Sequence, residues 1–112
     1  MENCVFCKIV NGEIPTDFIY QDDEVAAFKD INPKAPVHIL IIPKKHISSL
    51  NEIEDEDQML MGNLFLTARR VAYDQKVADT GYRVSINNGK DAGQEVKHLH
   101  MHLIAGRQLI LG

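Results

Sequence analysis

A chain of 112 residues, 45% hydrophobic and 25% charged, has the size and make-up of one globular domain with a single core. A chain this short buries only about two-thirds of the surface its unfolded form exposes, so a partner subunit or a structural metal would be a useful supplement. The formal net charge of −4, with no Lys or Arg run longer than Lys44 and Lys45 or Arg69 and Arg70, argues against a nucleic-acid backbone as main partner.

The N-terminal residues carry no basic-then-apolar leader, and the longest apolar run, residues 39–42, is far too short to span a bilayer. A cytoplasmic protein with no membrane partner is therefore expected. Residues 4–10 read as a short helix or turn closed by Asn11 and Gly12. Residues 18–20 and 25–28 look like short strands of an antiparallel hairpin around the acidic turn at 21–24. Pro33 and Pro36 lack the amide donor and restrict their predecessors, so 32–36 is a loop and 37–42 the next strand.

From about Glu54, Leu60, Leu64, Ala68, Val71 and Ala72 recur at helical spacing, and Asp55, Glu56 and Asp57 place negative charge in the first turn. This long helix is expected to run to near Gly81, a residue suited to the left-handed conformation that often ends a helix. Residues 82–86 alternate as a strand, the Gly- and Asx-rich stretch 87–94 turns the chain, and residues 98–104 alternate as the last strand. The sum is an α+β domain: a sheet of about five mostly antiparallel strands, a short N-terminal helix, and one long helix between the third and fourth strands, covering one face.

On an extended strand, His98, His100 and His102 project from one face while Leu99, Met101 and Leu103 enter the core. A row of structural histidines would be the uninteresting explanation. A zinc ion held by all three is awkward, because the outer two are about 13 Å apart at Cα. Neighbours are about 6.6 Å apart, which suits a central nucleophile flanked by imidazoles that orient it or meet an anionic substrate. A neutral imidazole can attack phosphorus and leave a labile phosphohistidine, and His100, the middle residue, is the natural candidate. Before this strand, Gly93 would let main-chain N–H groups approach a phosphate, helped by the side chains of Asn87 and Gln94. Cys4 and Cys7, spaced C-x-x-C, read as a metal-binding or redox pair rather than a structural disulfide.

The segment His98-Leu99-His100-Met101-His102-Leu103-Ile104 resembles the signature of the histidine-triad family, His-φ-His-φ-His-φ-φ with φ apolar. Residues 4–10, 28–31, 41–48 and 91–96 are similar to further blocks of that family in the same order, and Ala105-Gly106-Arg107-Gln108 resembles its nucleotide-binding, phosphoramidase branch, whose members usually form two-fold homodimers. The resemblance implies a hydrolase that releases a purine nucleoside monophosphate from a nucleoside 5'-phosphoramidate through a nucleotidyl-histidine intermediate, with no cofactor in the chemistry. It assigns attack to His100, phosphate contact to His102, phosphate support to Asn87 and the Gly93-Gln94-Glu95 segment, ribose hydroxyls to Asp30, and the base slot to Phe6, Phe28 and Ile31. On their own, the three apolar residues read equally well as core and Asp30 as a turn cap.

Dinucleoside polyphosphate hydrolysis or nucleotidyl transfer would use the same triad, and a nucleotide- or partner-binding module with little turnover is the alternative of another class. Glu95 stands where many members carry Ser or Thr near the leaving group, where it would add negative charge beside a phosphate unless it points away or carries a proton. The chain stops at Gly112 without the Trp-containing tail of some relatives, so the resemblance leaves its leaving-group preference open. Cys4, Cys7, His46 and His98 supply the ligands of a four-coordinate structural zinc site, an arrangement similar to that of a subset of bacterial members. A closed site of this kind would tie the N-terminus to the sheet and leave no position for substrate. His38 lies outside every motif and reads as a solvent-facing strand residue, and the acidic run 54–57 as a solvated helix start.

Overall fold

The computed structural model describes residues 3–110, so Met1, Glu2 and the chain end at Gly112 lie outside the described residues. Helix α1, Val5–Val10, is followed by strands β1 (Phe18–Gln21), β2 (Val25–Lys29) and β3 (Val37–Pro43). Helix α2 (Gln58–Asp74), β4 (Tyr82–Ser85) and β5 (Met101–Ala105) complete the chain. The strands lie in the order β1-β2-β3-β5-β4, with every neighbouring pair antiparallel. Among the described residues no helix is long and apolar enough to cross a membrane.

The two faces of the sheet are sorted by the alternation of the sequence. Ile39 and Ile41 of β3 and Met101, Leu103 and Ala105 of β5 pack with Leu60, Leu64, Ala68, Val71 and Ala72, the apolar stripe of α2. Burying each of the larger of these side chains stabilises the fold by roughly 1.5–3 kcal/mol, enough to hold an amphipathic helix on a sheet. On the other face, Leu40 and Ile42 of β3 and Ala26 and Phe28 of β2 pack with Phe6 and Ile9 of α1.

Helix α2 is shorter than expected at both ends. Asp55–Asp57 forms a tighter 3-10 turn before it, in which Asp57 accepts the Glu54 N–H at 3.0 Å and an ammonium hydrogen bond from Lys45 at 2.6 Å. The acidic run is thus partly a cap, with Asp57 itself buried. The helix stops at Asp74 rather than near Gly81, because Lys76 takes the left-handed turn (φ 61°) and Val77 N–H closes back on the Ala72 carbonyl at 3.0 Å. Gly81 instead closes the next turn through its N–H to the Val77 carbonyl.

Candidate active site

The last strand also begins later than the alternation suggests, at Met101, so His98 and His100 precede the ladder. The extended path persists, because Leu99 N–H donates to the Ile47 carbonyl at 2.6 Å and Leu99 enters the α2-side core. The histidines therefore share the α1 face as expected, but in a buried setting: His98 is fully buried and His100 only 7% exposed.

Each imidazole has a distinct set of partners, and those partners fix where its proton sits. His100 Nδ1 lies 2.7 Å from the His98 carbonyl, which can only accept, so Nδ1 carries a hydrogen and in the neutral ring the lone pair is on Nε2. A lone pair on Nε2 is what a nucleophile requires. The ring is packed edge-on by Phe6 (centroids 5.2 Å apart) and lies 5.0 Å from the His102 ring.

His38 is the residue that sequence reasoning misplaced. Far from facing solvent, it is 5% exposed, because β3 turns it to the same side as Leu40 and Ile42. The register pairs Leu40 with His102 and His38 with Ile104, so His38 stands diagonally across from His102. Its Nδ1 accepts the Lys34 N–H at 3.0 Å, so in the neutral ring the proton is on Nε2, 2.9 Å from His102 Nδ1. His102 Nδ1 must then accept, which leaves its Nε2 as a donor. Burial, first, and then repulsion from His100 and His38 hold His102 down to about 4, and burial likewise lowers His38, so both rings are neutral near pH 7. The Asp30 carboxylate 3.4 Å from His38 Nε2 is accordingly a polar neighbour rather than an ion-pair partner. Asp30, His38 and His102 approach one another closely enough for a metal, but the proton on His38 Nε2 occupies the lone pair a metal would need.

The opposite holds for Cys4, Cys7, His46 and His98, whose ligand atoms all lie within 4.8 Å of one another. His98 Nε2 donates to the Pro43 carbonyl at 2.8 Å, freeing Nδ1 toward Cys4 Sγ (3.3 Å) and Cys7 Sγ (3.7 Å). His46 Nδ1 lies 3.3 Å from Cys7 Sγ. Ligand atoms on a tetrahedral zinc are about 3.3–3.8 Å apart, so the donor set and spacing fit that ion. Cys4 Sγ also accepts the Cys7 N–H as the cap of α1. Burial, followed by the nearby Cys4 thiol, pushes the Cys7 thiol up, whereas burial lowers both imidazoles, His98 to about 4. Two sulfurs and two imidazole nitrogens that converge in this way form a set that a shared cation would satisfy.

The remaining expected site residues are placed as follows. Phe6 and Phe28 meet edge-on (centroids 5.7 Å apart), each 5% exposed, whereas Ile31 is 91% exposed. Asp30 does cap its turn, accepting the Asn32 N–H at 2.8 Å, while its other oxygen faces His38. Asn87 is half-buried at the start of the loop, and its neighbour Asn88 has a buried Oδ1 without a partner among the described residues.

Gln94 is a correction. Its Oε1 accepts the Gly89 N–H at 2.9 Å, and its Nε2 donates to the Ser48 and Val96 carbonyls at 2.7 and 3.0 Å. The side chain is fully used in bracing the loop and has no donor left for a phosphate. Gly93 is required by its φ of +81° alone, since a Cβ there would meet nothing within 4 Å. With the Gly93 and Gln94 N–H groups bonded within the loop, those of Glu95 and Val96 have no acceptor among the described residues. Glu95 is exposed.

Residues 11–109 match the model of the HIT domain. The chain is 45% identical over 108 residues to the purine nucleoside phosphoramidase of Escherichia coli K12, covering 96% of this chain and 91% of that protein. Among solved structures it is similar to a histidine triad protein from Clostridium difficile, with a TM-score of 0.96, 46% identity and coverage of 100% and 97% of the two chains. It also matches a HIT family hydrolase from Legionella pneumophila Philadelphia 1, with a TM-score of 0.94, 45% identity and 96% of each chain covered.

Proposed function

The chain belongs to the HIT domain family, and on that premise we propose that it hydrolyses purine nucleoside 5'-phosphoramidates in two steps at His100. The observation that carries this reading is the ordered set of protons: His100 Nδ1–H is committed to the His98 carbonyl, and His102 Nδ1 accepts from His38. One bare nitrogen thus stands beside one N–H donor, as attack on an anionic phosphorus requires. The purine assignment rests on likeness to the Escherichia coli phosphoramidase.

In the first step His100 Nε2 bonds to phosphorus as the P–N bond breaks, and the departing nitrogen leaves with its electron pair and takes up a proton. That proton is drawn from solvent, which reaches the leaving group past Glu95, exposed at the end of the loop. In the second step water attacks phosphorus, the nucleoside monophosphate leaves, the electron pair returns to Nε2, and the proton lost by water returns to solvent. Two in-line displacements give net retention at phosphorus. His102 Nε2–H donates to a phosphate oxygen throughout, joined by the Glu95 and Val96 N–H groups and Asn87. Asp30 takes the ribose hydroxyls, and Phe6, Phe28 and Ile31 flank the base.

No metal enters these steps. The Cys4, Cys7, His46 and His98 set would hold a structural zinc that ties α1 to the sheet. We read the protein as a cytoplasmic homodimer, a reading supported by its reduced cysteines and by Met59, Leu66 and Tyr73, which recur every seven residues on α2 and are 87%, 54% and 67% exposed.

Intact-mass spectrometry after rapid quenching with an adenosine phosphoramidate tests the mechanism. Wild type should show a transient nucleotidyl adduct and turnover, both lost in His100→Ala. Equal hydrolysis by that variant would sink the mechanism, and binding without turnover in wild type would reduce the protein to a nucleotide-binding module.

A further inference from the structure

Every arm of the Cys4, Cys7, His46 and His98 cluster leads within two residues to a group that packs against or braces the histidine row. His98 belongs to both centres: its Nδ1 faces the two sulfurs, while its carbonyl accepts His100 Nδ1–H at 2.7 Å. Between the cysteines lies Phe6, whose ring packs edge-on against His98 (5.8 Å), His100 (5.2 Å) and Phe28 (5.7 Å). Helix α1 has only six residues, too few to persist unaided, so the position of Phe6 depends on what holds the helix to the sheet. His46 is followed by Ile47, whose carbonyl takes the Leu99 N–H, and by Ser48, whose carbonyl takes Gln94 Nε2. The fourth arm thus reaches both the strand between the histidines and the brace of the phosphate loop.

We propose that this cluster positions the nucleophile: closed around a divalent ion, it fixes Phe6, the His98 carbonyl and the residue 47–48 strut together, and so sets the orientation of His100 and the fit of the nucleotide. Cys4, Cys7 and His46 are in this sense positioning residues that act through Phe6, His98 and Gln94. The inference rests on the reading of His100 as nucleophile, and linkage requires that the coupling be reciprocal.

The test uses the full chain, stripped with a chelator and titrated with Zn2+ while the histidine ring 15N–1H signals are followed. The expected result is that the His100 ring signals shift and its Nδ1–H exchanges more slowly as the ion is taken up, and that AMP binds about fivefold or more tighter to the loaded chain. Uptake of Zn2+ that moves His46 and His98 but leaves His100 unchanged overturns the proposal, as does failure to take up Zn2+. If His100 responds but AMP binds neither form, the nucleotide-hydrolase reading falls while the positioning role stands. Should the stripped chain unfold, the Co2+-loaded Phe6→Leu variant decides: exchange at His100 Nδ1–H must quicken while the tetrahedral Co2+ spectrum is kept, and unchanged exchange overturns the proposal.

Discussion

Replacing His38 by Leu removes the group that, among the described residues, gives His102 Nδ1 a hydrogen, at 2.9 Å, while keeping an apolar side chain of similar reach in a site that is 5% exposed. The His102 ring then either keeps its proton on Nε2 with a buried, unpartnered Nδ1, or moves it to Nδ1 and presents a lone pair to the substrate phosphate. An unsatisfied buried acceptor costs about 1–3 kcal/mol. With about 1.4 kcal/mol per decade, kcat/KM should fall roughly five- to 150-fold. Steady-state hydrolysis of an adenosine phosphoramidate measures the loss, and the 15N shifts of the His102 ring report its tautomer. His38→Gln, which retains an N–H donor, should recover part of the activity. Activity of His38→Leu within about twofold of wild type, with His102 still protonated on Nε2, would refute the proton order derived for the site.

Other perturbations read different parts of the molecule. The folded His102 ring is held down to about 4 by burial, then by His100 and His38, with Asp30 opposing and Lys34 assisting. The unfolded ring, near 6.5, binds a proton that the folded ring refuses, so stability is complete above about pH 6.5 and is lost as pH falls toward about 4. Urea midpoints across that range should decline with pH, and a flat profile would contradict the neutral ring. Gly106→Ala places a Cβ 2.8 Å from Pro36 Cβ at a φ of +97°; a loss of about 1–3 kcal/mol in thermal or urea unfolding is expected. Gln94→Leu strands the Gly89 N–H and frees the Ser48 and Val96 carbonyls. The expected outcome is a higher KM for the phosphoramidate with the His100 adduct still formed, and an unchanged KM would show that the brace is dispensable.

What could be read from the sequence was whatever repeats locally. The alternation of His98, His100 and His102 with Leu99, Met101 and Leu103 announced two faces, and the 3.6-residue recurrence of Leu60, Leu64, Ala68 and Val71 announced α2; both faces are observed. The end of α2 was hidden because a lysine, Lys76, takes the left-handed turn that glycine usually signals. His38 was hidden because its role depends on strand register: nothing near it in the chain reveals that it stands diagonally across from His102, 64 residues away. A histidine at an alternate position of an otherwise apolar strand was the available signal. Gln94 looked like a phosphate donor because composition shows which groups could donate, whereas only the folded loop shows that they are already engaged.

The central β3 and β5 pairing joins residues on either side of α2, and it alone brings His38 to His102. Pairings of such wide sequence separation require closing a long loop before any contact repays it, which makes them slow steps in folding. A one-residue slip there would turn every histidine of the row toward α2 and every core leucine away from it. Because His102 meets His38 only in that register, recovery of the proposed turnover during refolding should wait until β5 has docked on β3 correctly.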